Sequence, residues 1–137
     1  MRLQFHHINF VSKDVEELDS FYQNILNLDS IPIENFPRTS ADEKSGYGGK
    51  IKFVTDGTIQ MHLAEKDGAV AIKNGQEINP LEKGHIAFRT DDIETFKKIL
   101  DENKIPFSDY GTTFAKEWYQ IFFRDPVGNV IEVHQLV

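Results

Sequence analysis

The chain has 137 residues, 39% of them apolar and 27% charged, which suits one globular unit with a real core and excludes a disordered chain or a membrane-spanning bundle. A net charge of −7 argues against nucleic-acid phosphate as a partner, and no apolar run approaches the roughly 20 residues of a membrane span. The absence of cysteine excludes disulfides and thiolate ligands, so any metal must be held by imidazole, carboxylate or amide.

Met1-Arg2-Leu3-Gln4-Phe5 lacks the apolar stretch of a signal peptide, from which a cytoplasmic location is expected. Residues 5–11 read as a strand. Val15, Leu18, Phe21, Tyr22 and Ile25 follow at helical spacing and predict a helix over about 15–26. A short strand at 31–33 is interrupted by Pro32 and Pro37. Residues 38–50 are polar and contain Gly46, Gly48 and Gly49, the pattern of a mobile loop able to act as a lid. Strands at 51–55 and 59–64 flank Asp56-Gly57, a hairpin signal, and a polar connector follows.

The second half restarts at His85 with a strand to residue 90, then a helix with Ile93, Phe96, Ile99 and Leu100 on one face. Asn103-Lys104-Ile105-Pro106 stops that helix. A weak strand at 107–110, a stronger one at 118–124 and a last one at 130–135 complete the set, with a turn over 125–129.

The halves repeat. His7-Ile8-Asn9-Phe10-Val11-Ser12-Lys13-Asp14-Val15-Glu16 returns as His85-Ile86-Ala87-Phe88-Arg89-Thr90-Asp91-Asp92-Ile93-Glu94. Each half is β-α-β-β-β, and neither could bury its sheet alone. The expected class is α+β, with two βαβββ modules over about 1–66 and 84–137, a connector at 67–83, and a single domain overall.

Strand alternation decides which side chains can meet. His7 with Asn9, Gln60 with His62, His85 with Ala87, and Glu132 with His134 each share a face. The opposite faces are apolar throughout and suited to packing on the two helices. A lone strand histidine is more often solvated or hydrogen-bonded than a ligand, but four of the five histidines gathered on repeat-related faces point to a metal site. Two imidazoles and one carboxylate form a facial set with open positions, suited to one divalent ion: Fe, Mn, Zn or Ni. His62 is either a further ligand or a general base. One register makes it the repeat partner of Glu132, and a two-residue shift pairs it with His134 instead. His6 is expected to face the apolar side as a structural residue.

These features resemble the vicinal oxygen chelate superfamily, the glyoxalase/bleomycin-resistance/dioxygenase proteins. The carriers are His6-His7-Ile8, Phe21-Tyr22 with Ile25-Leu26-Asn27-Leu28, Gly84-His85-Ile86-Ala87-Phe88, and the stretch from Phe123 through Asp125-Pro126-Val127-Gly128-Asn129 to Glu132. The resemblance implies two modules whose strands curl into an open cup around a divalent metal held by His7, His85 and Glu132. His62 then lies on the strand that supplies a fourth ligand in some members. It also implies a homodimer and a small-molecule substrate whose neighbouring oxygens chelate the metal.

The leading expectation is a glyoxalase-type lyase or isomerase in which His62 and Glu132 are catalytic. An extradiol-type dioxygenase and a non-catalytic binding protein are the alternatives; the Tyr usual in ring-cleaving members is replaced here by Phe122. Arg38, Lys50 and Arg89 are the cations available to a glutathione carboxylate. Tyr47, Tyr110, Trp118 and Tyr119 are expected near the rim of the cup, which would suit a partly apolar substrate.

Overall fold

The two copies of the repeated motif lie side by side. In the computed structural model, which describes residues 1–137, β1 (Leu3–Ser12) and β5 (His85–Thr90) pair antiparallel at the centre of an eight-stranded sheet. Its order is β2-β3-β4-β1-β5-β8-β7-β6. The first repeat supplies β2 (Asp29–Ile31), β3 (Ile51–Thr55) and β4 (Gln60–Glu65), and the second supplies β6 (Phe107–Ala115), β7 (Trp118–Arg124) and β8 (Val130–Leu136). The pairs β1–β4 and β5–β8 are parallel and the others antiparallel. The class is α+β.

The sheet curls strongly. β4 and β7 are separated by β1, β5 and β8, which in a flat sheet would set them about 19 Å apart. The rings of His62 on β4 and Trp118 on β7 nevertheless lie 6.1 Å apart, across the hollow of a cup.

Each repeat opens its helix in the same way. Asp14 caps α1 (Val15–Asn24) by accepting from the Glu17 amide, and Asp92 caps α3 (Ile93–Glu102) by accepting from Thr95. α1 is shorter than its apolar spacing predicts, because the chain turns left-handed at Asn27. A short helix, α2 (Val70–Lys73), stands in the connector that reads as featureless, and its Val70 packs with Ile78 and Leu81. β6 runs to Ala115, well beyond its predicted end.

The helices cover only the flanks of the outer face. α1 buries Val15 against Val54 and Leu63, and α3 buries Ile93, Phe96 and Leu100 against Ile121 and Val133. Phe10 and Ile86, on the central strands, stay 40% and 38% exposed. The expectation that the whole apolar face packs on the helices fails at the centre, because two helices about 10 Å wide cannot span eight strands.

The segment read as a mobile lid is tied to the opposite edge of the sheet. Arg38 bridges to Ala115, the Thr39 amide donates to Phe114 O at 3.0 Å, and Thr39 Oγ1 donates to Thr112 O at 2.7 Å. Tyr47 is buried, with its hydroxyl donating to Glu65 O. No helix is long and apolar enough to cross a membrane.

Candidate metal centre

Pairing in the sheet resolves the register that alternation leaves open. His7 pairs with Ala87 and Asn9 with His85, so the repeats meet about a pseudo-twofold between β1 and β5. Asn9 then pairs with His62, as its counterpart Ala87 pairs with Glu132. His62 is the repeat partner of Glu132.

The inward faces bring His7, His85 and Glu132 together, with ligand atoms within 4.8 Å of one another. His85 Nε2 lies 2.9 Å and His7 Nε2 3.5 Å from Glu132 Oε2. The outward atoms are held by neighbours. His85 Nδ1 is 3.2 Å from Pro80 O; a carbonyl only accepts, so Nδ1 carries a hydrogen and Nε2 is the atom turned to the site. Nε2 faces a carboxylate oxygen at 2.9 Å, an arrangement that calls for a proton or a metal cation between them.

Glu132 is equally constrained. Its Oε1 accepts from Gln120 Nε2 at 3.1 Å and from His134 Nδ1 at 2.8 Å. Arg89 Nε donates to His134 Nε2 at 3.0 Å, which fixes the His134 hydrogen on Nδ1 because a guanidinium cannot accept. Oε2 is left to face His7 and His85. A divalent cation fits this donor set: three converging ligand atoms, each side chain oriented by an outer partner, as metal ligands require.

His62 does not join that group. Its ring lies flat on His7, with centroids 3.7 Å apart and planes at 15°, so a cation in the plane of one ring is out of plane for the other. Its Nε2 is instead 2.9 Å from Gln60 Oε1. His6 departs from its expected place. The β1–β5 register shifts between Phe5 and His7, and this bulge turns His6 inward, with Nδ1 2.9 Å from His7 Nδ1. With Nε2 of His7 facing the carboxylate, its Nδ1–H donates to His6.

The sequence pattern of the Glyoxalase/Bleomycin resistance protein/Dioxygenase superfamily matches residues 4–133. The chain belongs to this superfamily. No curated protein matches it by sequence. Among solved structures it is similar to a hypothetical protein from Bacillus halodurans C-125, at TM-score 0.70 and 18% identity, covering 100% of this chain and 96% of that one. Methylmalonyl-CoA epimerase from Mycobacterium tuberculosis aligns at TM-score 0.66 and 14% identity, over 98% and 88% of the two chains. A Streptomyces coelicolor methylmalonyl-CoA epimerase variant in complex with 2-nitronate-propionyl-CoA aligns at 0.64 and 15%, over 98% and 97%. Members of the superfamily commonly bind a metal and act on small molecules.

Burial sets the charges in this member's cup. It lowers the pKa of His7, which the nearby Glu132 only partly opposes, and it drives His62 well below its ordinary value, with His7 adding to the effect. His6 falls to about 3 through burial and then the adjacent His7. Burial by itself would raise Glu132; the neighbouring His7, with hydrogen bonding from His134, outweighs it and holds the carboxyl well below the usual range. For His7 and Glu132, a neutral imidazole beside an ionised carboxylate is the pair of protonation states that a divalent cation needs.

A cavity of about 60 Å³ lies beside these ligands, walled by Phe36, Phe53, Phe114 and Phe122. Tyr47 and Trp118 also line it, as expected for the rim aromatics. Tyr110 is instead a core residue, bonded to Ile78 O, and Tyr119 meets Lys97 and Asp109. Arg38 reaches the cavity but donates to Gly49 O and Tyr47 O. His134 belongs to the inward histidines legible in the sequence, without a role of its own there, and Gln120 is announced only by its strand parity with Trp118 and Phe122.

Proposed function

We propose that the protein is a divalent-metal-dependent lyase or isomerase of the glyoxalase type, a single domain acting on a small substrate with two adjacent oxygens. The observation that carries this is the convergence of His7, His85 and Glu132 ligand atoms within 4.8 Å, with the outward atoms of the set committed to neighbours. His7, His85 and Glu132 would hold Fe, Mn, Zn or Ni. When bound, the ion supplies stabilisation of negative charge on neighbouring substrate oxygens.

His62 is the base. Its Nε2–H donates to Gln60, which leaves Nδ1 to accept a proton, and its ring lines the cavity beside the ligands. A fourth-ligand role would require the ring to leave its stack on His7. The phenylalanine walls exclude water and favour an apolar substrate body, and the commitment of Arg38 to carbonyls leaves no free cation there for a second anionic group. Two of the similar structures are epimerases, whose chemistry relocates a proton, and this supports proton transfer over ring cleavage. The exposed Phe10 and Ile86 support homodimerisation through the outer face of β1 and β5.

The test is elemental analysis of protein purified without chelator, beside a His85→Ala variant, followed by anaerobic assay with 2-oxoaldehyde hemithioacetals. About one ion per chain, lost in the variant, with oxygen-independent turnover, is expected. Oxygen uptake with a catechol would assign ring cleavage instead, and no metal after reconstitution would leave a sequestering protein.

A further inference from the structure

At the far side of the imidazole layer a second concavity of about 300 Å³ opens, large enough for a small organic molecule. It shares His62, Trp118, Phe36 and Phe53 with the wall of the metal centre, while neither His7 nor Glu132 reaches it. Its polar lining includes Arg89, His6 and Gln60.

Arg89 is the unusual member. Strand parity puts it inward, two residues beyond Ala87, and it is half-buried. Its Nε is committed to His134, and its guanidinium lies over the Trp118 ring, 5.0 Å from the centroid. The Nη groups make no hydrogen bond or ion pair within the chain, whereas both Nη groups of Arg38 donate to carbonyls. Glu117, the one carboxylate on the lining, stands exposed beside β7 and is not paired with Arg89.

With Nε anchored on His134 and Cζ 5.0 Å from the indole centroid, the guanidinium keeps its Nη groups as a planar fork, the geometry that grips a carboxylate through two parallel bonds. His6 adds a second donor: with Nδ1 engaged by His7, its other nitrogen has no protein partner. One arginine, no lysine and a carboxylate at the rim favour a monoanion over a dianion. Trp118, Phe36 and Phe53 provide an aromatic wall for the body behind the charge.

We propose that this pocket is a binding site for a small organic monocarboxylate with an aromatic or branched apolar body, gripped by the Nη groups of Arg89. The pocket adjoins the metal centre across a shared wall, and its assignment does not depend on which reaction that centre performs.

Trp118 is the single tryptophan and lies against Arg89, so its fluorescence responds to a bound molecule; it lines both cavities, and the arginine variants assign the response to one of them. The experiment titrates benzoate, its neutral isostere benzamide and inorganic phosphate into protein kept metal-free with chelator, so that the metal centre offers no competing cation. Saturable change with benzoate, at least roughly tenfold weaker with benzamide and with phosphate, is expected. Arg89→Met should abolish the response and Arg38→Met should keep it. Equal binding of benzamide, tighter binding of phosphate, no saturation, or an unchanged benzoate response in folded Arg89→Met protein would each overturn the assignment. Where Arg89→Met does not fold, the benzoate–benzamide comparison tests the charge requirement on unaltered protein, and a response kept in Arg38→Met excludes the cation of the adjoining cavity. Metal content is measured separately, so failure here leaves the metal reading standing.

Discussion

His62 holds the place in the first repeat that Glu132 holds in the second, yet only Glu132 turns its ligand atom toward His7 and His85. The duplication therefore provides two equivalent strand positions, and side-chain packing makes them different. The stack of His62 on His7 at 3.7 Å holds its ring out of the ligand plane, while Gln120 and His134 aim the carboxylate.

This asymmetry predicts different consequences for the two positions. Glu132→Gln should keep the far-ultraviolet circular dichroism and lower metal affinity by roughly hundredfold or more, since it removes the one negative ligand. His62→Gln should change affinity less than about tenfold while turnover collapses. Isothermal titration with Zn or Mn separates the cases; equal loss of affinity in both would make His62 a ligand.

His6 should matter through His7. Removing its ring in His6→Ala leaves Nδ1–H of His7 without its acceptor, and losses of about 10–100-fold in metal affinity follow from such outer-partner changes. His6→Asn offers an amide oxygen and should recover part of the loss. Metal titration of both variants, alongside their thermal midpoints, checks this: a loss of stability with unchanged affinity would make His6 purely structural.

The metal-free protein should lose stability toward acid. His6, His7 and His62 all have folded-state pKa values below the ordinary 6.5, His6 at about 3. Between these values the unfolded chain binds protons that the folded protein refuses, so stability is complete above 6.5 and declines as pH falls from there toward 3. Glu132, also lowered, adds the same sign below its ordinary 4.5. Thermal midpoints from pH 8 to 5 should be flat and then fall, with a shallower fall in His62→Gln. A flat curve throughout would refute the neutral-imidazole cluster.

Gly84→Ala should damage the centre without touching a ligand. Gly84 has φ of +86°, and a Cβ there would collide with the carbonyl oxygen of Asn9 on the neighbouring strand. β5 would have to move away from β1 just where His85 begins. The variant should unfold at lower temperature and bind metal more weakly, and native-like values for both would show that the β1–β5 approach is slack.

The duplication, the class and the inward faces are legible in the chain alone. A His-containing strand and an Asp-capped helix occur twice, and period-two alternation places His7, His85 and Glu132 inward whatever the register. Tertiary structure decided the rest. Parity is blind to a two-residue shift, so the pairing of Asn9 with His62 had to come from the fold. The bulge at Phe5 and His7 reversed His6 because an extra residue on one strand shows only against its partner. The stack of His62 on His7, the chain from Arg89 through His134 to Glu132, and the pocket beside Trp118 join side chains far apart in the sequence. Local pattern carries no record of such contacts; they exist only once the sheet has curled and brought β4 across from β7.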